Sequence, residues 1–259
     1  MLALSSFDNR LVAFVVLVLL LLAAQVGAWL SLRFPPDSSE EAKSEFGIAQ
    51  AAIFGLVGLL LGFSFSLALT RFDARRDVVL REANAISTTL LRCDLLEPGT
   101  GRALRERLKD YVGVRLAYAG AGADREKRRQ IETQSDRLQG QIWSLGAGAA
   151  VRDPRSTAVP LFIASLNETI DLSAEQKAAL DATIPDRVLQ AVIVIVMAAT
   201  GLLGYGYGRT RHRGVEIMLS VMFALVLAVI IDLDNPQGGA IRVSLEPLQS
   251  VQRSFDHSP

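Results

Sequence analysis

The chain has few of the residues that build disulfides, metal clusters or acid–base sites. Its 259 residues include one cysteine, Cys93, and two histidines, His212 and His257. A single cysteine excludes an internal disulfide and a thiolate metal cluster, and two separated histidines are too sparse for a metal or acid–base site. Since no nucleophile–base pair or cofactor fingerprint is present either, the sequence argues against an enzyme and predicts no cofactor.

The chain also lacks an excess of charge of either sign. With 27 basic and 27 acidic residues, its net charge is zero, which gives no reason to expect nucleic acid as a partner. Charge is absent from four long apolar blocks, apart from Glu216 at the start of the last one. Because a charge in the middle of a membrane costs about 2.5–3.5 kcal/mol on insertion scales, we expect four transmembrane helices in a lipid bilayer. These blocks are residues 11–32, 47–69, 188–208 and 215–231.

The first block could be a cleaved signal peptide or a retained helix. Val26-Gly27-Ala28 resembles a small-residue cleavage site. However, the block carries only Arg10 before it, is longer than the usual signal-peptide core of about 7–15 residues, and continues through Trp29. We therefore expect a retained transmembrane helix.

Residues 71–187 form the only long polar segment, and their apolar periodicity predicts helices throughout. The second span is expected to continue as one helix to about Leu96, because no glycine or proline follows its apolar part. Three more helices are expected at about 102–119, 124–145 and 155–170, with a loop at 146–154. Ser173 begins a capping-box pattern that predicts another short helix. The expected fold is an all-α membrane protein with four spans, a helical soluble insert between the second and third, and a tail at 232–259.

The distribution of Lys and Arg predicts how the chain is oriented. Four spans place both termini and the insert on one side, and that side carries more basic residues near the span ends. The positive-inside rule therefore favours a cytoplasmic domain and cytoplasmic termini in a multi-pass inner-membrane protein. The basic residues Arg209, Arg211 and Arg213 between the last two spans argue the other way.

The second span is rich in small residues. Gly55, Gly58 and Gly62 recur at helical spacing, the last two as a GxxxG motif, and Ser64 and Ser66 add hydroxyl groups. Small residues at this spacing let two helices approach closely. They could equally form the narrow wall of a pore. The glycine pattern at 204–208 also lies in a span, where helix packing is the expected use.

Two groups of charges lie just beyond spans. Arg71, Asp73 and Arg75 follow the second span and could form surface ion pairs, or a charged ring at a pore mouth if several copies surround an axis. Asp232 and Asp234 follow the last span. Their carboxylates could bind a hard cation such as Ca²⁺, or could simply be polar residues that end a helix.

Several motifs resemble those of bestrophins. Leu61-Gly62-Phe63 followed by Thr-Arg-aromatic, and Asn235-Pro236 after the last span, are similar to the bestrophin pattern. More closely, residues 45–252 resemble bacterial bestrophin-like membrane proteins, a domain family of unknown function. The segments that carry this likeness are LALTRFDARRD at 67–77, EANAI at 82–86, SLNETID at 165–171, DLDNP at 232–236 and IRVS at 241–244.

The resemblance implies a pentameric anion channel whose second helix lines the pore. Phe63 matches an aromatic residue of the apolar neck, and Leu59 and Gly55 lie one and two turns earlier, where the family has bulky residues. Gly55 departs from that pattern. The long acidic run of the bestrophin calcium clasp is also missing after Asn235-Pro236, so Ca²⁺ gating is not expected.

Two functions follow from these observations. The first is a homo-oligomeric channel for small inorganic anions such as chloride. Its expected pore-lining residues are Gly55, Leu59, Gly62, Phe63 and Ser66, with Arg71, Asp73 and Arg75 at the mouth. The alternative is a non-conducting membrane scaffold or sensor whose helical cytoplasmic domain binds a partner or ligand.

Overall fold

The computed structural model describes residues 9–35, 37, 39–122, 124–207, 213–236 and 238–257. Within these ranges the chain forms eight α-helices and no strand, which confirms the predicted all-α class. The helices are α1 (Asn9–Arg33), α2 (Glu40–Cys93), α3 (Pro98–Gly120), α4 (Arg125–Arg152), α5 (Ala158–Asp181), α6 (Asp186–Tyr207), α7 (Arg213–Asp234) and α8 (Glu246–His257).

The described residues fall into two compact units. The membrane unit comprises those within 1–72 and 183–242, and the soluble unit comprises those within 73–182 and 243–259. Four stretches have the length and composition of membrane spans: one lies in α1, one in α2, one runs across α5 and α6, and one lies in α7. This confirms the four predicted spans. The basic loop predicted between the last two spans lies largely outside the described residues.

In the membrane unit, α1 and α6 approach until their backbones are in contact. A Cβ atom built on Gly27 would lie 1.8 Å from the carbonyl oxygen of Gly201, and one on Gly204 would lie 2.0 Å from that of Ala24. Only glycine fits at such positions, as expected where membrane helices pack through small residues. The packing predicted for Gly204 is confirmed, and Gly27 lies inside a continuous helix.

The soluble unit is built around an apolar core. The part of α2 that belongs to this unit packs with α3, α4, α5 and α8 around residues such as Leu104, Leu108, Ile142, Phe162 and Leu248, all of which are almost completely buried. Fully burying one such side chain contributes about 1.5–3 kcal/mol. The core therefore stabilises this unit chiefly through the hydrophobic effect.

Several predicted boundaries in the soluble unit are wrong. The loop expected at 146–154 is mostly the last two turns of α4, because Gly146 is a packing residue: its Cβ would lie 2.9 Å from Ile163 and 3.0 Å from Phe162. No break occurs at Ser173, whose hydroxyl donates a hydrogen bond to the Ile170 carbonyl within a continuous α5.

Both ends of α2 also differ from expectation, and the tail contains a helix. α2 begins at Glu40, within the expected acidic loop, and ends at Cys93. The predicted polar tail includes α8, in which Leu248, Val251 and Phe255 share one buried face. Their spacing of three and four residues is that of an amphipathic helix. This face joins the core of the soluble unit.

Candidate functional site

One side of α2 is a continuous inward stripe. In the membrane unit it is formed by Val57, Leu61 and Ala68, which are buried, with Phe54 partly buried before them and Ser64 partly buried among them. These positions repeat every three or four residues, so they lie on one face of the helix. The Phe54 ring stacks on Phe223 of α7, with ring centroids 6.0 Å apart. The stripe therefore fixes which way α2 faces in the membrane unit.

The five residues predicted to line a pore lie on the exposed side of α2. Leu59 is 55% exposed and Phe63 is 66% exposed, and Gly55, Gly62 and Ser66 are also exposed. Nothing lies within 4 Å of a Cβ built on Gly55, Gly58 or Gly62. These glycines therefore pack against no other described part of the chain. The face is available to lipid or to another copy of the protein.

The two serines of this span have different surroundings. The Ser64 hydroxyl donates to the Leu60 carbonyl at 2.8 Å, so its proton is used within its own helix. Ser66 is exposed, and its carbonyl accepts a hydrogen bond from the Thr70 hydroxyl at 2.9 Å. Ser66 thus adds a hydroxyl group to an otherwise apolar and glycine-rich face.

The three predicted mouth charges differ in burial. Asp73 is exposed and Arg71 is half-buried, whereas Arg75 is only 2% exposed and lies inside the soluble unit. In the single chain, therefore, only Asp73 presents its charge fully to solvent. The neighbouring Asp77 pairs with Arg81, one turn further along α2, at 2.8 Å.

Asp232 and Asp234 each accept hydrogen bonds from backbone N–H groups. Both oxygens of Asp234 accept from the Ile184 N–H at 2.9 Å, and those of Asp232 accept from Ala240 and Ile241 at 2.8 Å. The Asn235 side chain accepts from Gly238 at 3.1 Å and so shapes the same turn. This arrangement favours the helix-end interpretation. Among the residues that the structure describes, no group of three or more His, Cys, Asp and Glu could hold a metal.

Sequence reasoning missed a buried ionic network in the soluble unit. Glu82 on α2 is fully buried and receives a hydrogen bond from Arg115 Nε on α3 at 2.5 Å, and Arg115 also bonds to Gln176 on α5. Burial lowers the pKa of Arg115, but the charge of Glu82, the Glu82 hydrogen bond and the neighbouring Tyr111 and Tyr118 together outweigh burial and raise that pKa above its ordinary value. The network therefore links three helices through a buried ion pair.

Only one signal in the sequence could have pointed to this network. The inward stripe of α2 keeps its three-and-four spacing from Val57 to Glu82, so Glu82 occupies a buried position of the repeat. A charged residue at such a position needs a partner of opposite charge. Nothing in the spacing identifies Arg115, which is 33 residues away.

The fold and the exposed face of α2 define the class of protein. The protein is an all-helical membrane protein with four spans, and the second span is part of a 54-residue helix that also belongs to a helical soluble unit.

The comparisons with known proteins agree with this class. The Bestrophin-like domain matches residues 18–248, so the chain belongs to the bestrophin-like family. The resemblance noted in the sequence is thereby confirmed. A search of curated protein sequences finds no significant match.

Solved structures share the fold at low sequence identity. A bacterial bestrophin homolog from Klebsiella pneumoniae is 15% identical, with a TM-score of 0.68 over 94% of this chain and 95% of the homolog. A single-substitution variant of that homolog is also 15% identical and gives 0.70 over 96% and 97%. A substituted protein described only as a membrane protein is 16% identical and gives 0.69 over 94% and 97%. At such identities the likeness shows the fold.

Proposed function

We propose that the protein is a homo-oligomeric anion channel of the inner membrane, with α2 of each copy lining the pore. One observation carries this proposal: α2 turns its glycine-, serine- and phenylalanine-bearing face away from the rest of its own chain. A face that is exposed in one copy can enclose a pore only if several copies surround an axis. The bestrophin fold and family membership support such an assembly, and the resemblance implies five copies.

The chemistry of the face suits a small inorganic anion such as chloride. From Gly55 to Ser66 it carries no charged side chain, so it lacks the acidic rings that select cations. The Ser66 hydroxyl and the positive edge of the Phe63 ring can face an anion. Leu59 and Phe63 form the apolar part of the path, where dewetting would stop flow.

The glycines set the width of the proposed path. Gly55 and Gly62 add no side chain to the face, whereas Leu59 and Phe63 lie between or beside them. The narrowest and driest part is therefore expected at Leu59 and Phe63. We propose that Asp73 and Arg71 contribute charge where this path meets the cytoplasm. Arg75 is buried, so it would not contact an ion in the path directly.

Chloride flux from liposomes that contain the purified protein tests the proposal. Truncating Phe63 to alanine removes the largest side chain from the proposed constriction, so we expect Phe63→Ala to raise the flux several-fold over wild type. Phe65→Ala is the matched control, because Phe65 is also exposed, at 39%, but lies two residues, or about 200°, around the helix. It should leave the flux near the wild-type rate.

The same experiment can contradict the proposal. Absence of flux from wild type and Phe63→Ala, in protein shown to be folded and inserted, would argue for the non-conducting scaffold or sensor. A particle mass of one chain in detergent and in lipid discs would do the same, because one copy of this fold exposes the α2 face and encloses nothing.

A further inference from the structure

The soluble unit has a polar groove that the proposed channel function does not use. It lies along α3 and α4, is also lined by Gln252 of α8, and has a volume of about 780 Å³. This is within the range of about 300–1,000 Å³ typical of small-molecule sites. Three basic side chains, Arg107, Lys109 and Arg137, and one acidic side chain, Asp110, line it. The lining is thus positive in a chain with no net charge.

The register of the two helices leaves open space beside Arg137. α3 and α4 form a hairpin, and Gln139 of α4 donates a hydrogen bond to the Tyr111 hydroxyl of α3 at 3.3 Å. In an antiparallel pair this contact places Gly113 at the level of Arg137. A Cβ built on Gly113 would meet nothing within 4 Å. The absence of a side chain there opens the groove next to the guanidinium group.

The groove has an apolar floor and a charged rim. Val114 and Leu138 are 7% and 8% exposed, so they form its buried base. Arg107 Nη1 donates to Asp110 at 3.2 Å, and this exposed pair orients Arg107 along the rim. Arg137, in contrast, is exposed and forms no ion pair with any residue that the structure describes. Its donors are available to a ligand.

We propose that this groove binds a small, multiply charged anion through phosphate or carboxylate groups. Guanidinium groups bind both through paired N–H donors. Arg107 lies six residues before Gly113 on α3, about 9 Å along the helix axis, so Arg107 and Arg137 suit a ligand that carries two anionic groups. The amides of Gln134 and Gln141 supply further hydrogen bonds to its polar atoms.

Isothermal titration calorimetry on the purified full-length protein at low salt tests this site, with inorganic pyrophosphate and citrate as separate probes. Arg137→Gln removes the unpaired guanidinium, and Gly113→Leu fills the open space. We expect Arg137→Gln to weaken binding about tenfold or more, which corresponds to about 1.4 kcal/mol, because it removes charge-assisted hydrogen bonds. We expect a similar loss from Gly113→Leu, because the added side chain occupies the space that the ligand would fill. Binding should also weaken as salt is added.

Two matched controls lie outside the groove. Arg102→Gln removes an exposed arginine from α3, and Gly140→Leu adds the same side chain at an exposed glycine of α4 whose Cβ would also meet nothing within 4 Å. Both should bind like wild type. Gly113→Leu replaces a poor helix former by a good one, so helix propensity does not oppose folding, and circular dichroism will check it.

The outcomes separate clearly. Binding of pyrophosphate alone assigns the site to phosphates, and binding of citrate alone assigns it to carboxylates; either supports the proposal when the groove variants lose it. No binding of either probe to folded wild type overturns it, as does equal loss in the controls. Because no ion flux is measured, this result is independent of whether the protein conducts.

Discussion

The membrane and soluble halves of α2 follow the same repeat, but the two fully buried charges of this helix lie in its soluble half. From Val57 to Glu82, buried or half-buried positions alternate every four and three residues. In the membrane unit these inward positions are mainly apolar, and the exposed face includes Phe63. In the soluble unit they include Arg75 and Glu82, both almost fully buried. Burial along α2 is therefore set by the angular position of a residue around the helix. A prediction from hydropathy alone would place Arg75 and Glu82 on the surface.

The largest effect is expected where the soluble half buries charge. Arg115→Met leaves the Glu82 carboxylate buried without its cation, and breaking a buried pair in this way costs about 3–5 kcal/mol. We expect a large fall in the denaturation midpoint of the soluble unit. Arg253→Met is the control, since its pair with Glu246 is more than half exposed and is worth at most about 1 kcal/mol. Equal effects in the two variants would contradict the comparison.

The membrane unit can be tested through two sets of glycines, those of α6 packed on α1 and those on the exposed face of α2. Gly204→Leu would drive a side chain into the backbone of α1. It should lower the free energy of unfolding by about 3 kcal/mol or more, the upper end of the range typical of overpacking. Gly58→Leu should be tolerated by the single chain, because nothing lies within 4 Å of its Cβ. Thermal unfolding in detergent measures both. If Gly58→Leu proves as harmful as Gly204→Leu, contacts outside the single chain must cover that face.

The smallest effect concerns reactivity instead of stability. Cys93 is 1% exposed, and burial raises the pKa of its thiol to about 12, so the unreactive protonated form dominates near pH 8. Maleimide should label it slowly in the folded protein and rapidly after unfolding. A cysteine introduced by Leu91→Cys, at a position 66% exposed and two residues away, should react at once. Fast labelling of Cys93 in the folded protein would contradict its burial and show that the C-terminal end of α2 does not turn this residue towards the core.

The sequence predicted most of the helices because their signals are local. The four spans and the continuity of α2 follow from apolar blocks and from the absence of glycine or proline after the second block. The end of α4 and the continuity of α5 were missed because they depend on contacts between helices. Gly146 is helical where it packs on Phe162, whereas an isolated glycine indicates a break.

The candidate site was predictable only in part. Glycine spacing identified α2 as unusual, but could not distinguish packed glycines from exposed ones. Gly27 and Gly204 turned out to be in backbone contact, and Gly55 and Gly62 to be open. The partner of Glu82 is equally invisible in the sequence, because helix spacing reports which face a residue occupies and not which distant residue meets it.

The repeat along α2 also limits how the length of this helix can vary between related chains. Inserting one residue between Glu82 and Leu90 would turn everything after it by about 100°, and Leu90 would leave the buried face of α2 in the soluble unit. Inserting seven residues would change the angle by only about 20°. We therefore expect insertions and deletions within the soluble half of α2 to come in blocks of seven, while gaps of any length should be found in the links between other helices, such as the one after Arg152.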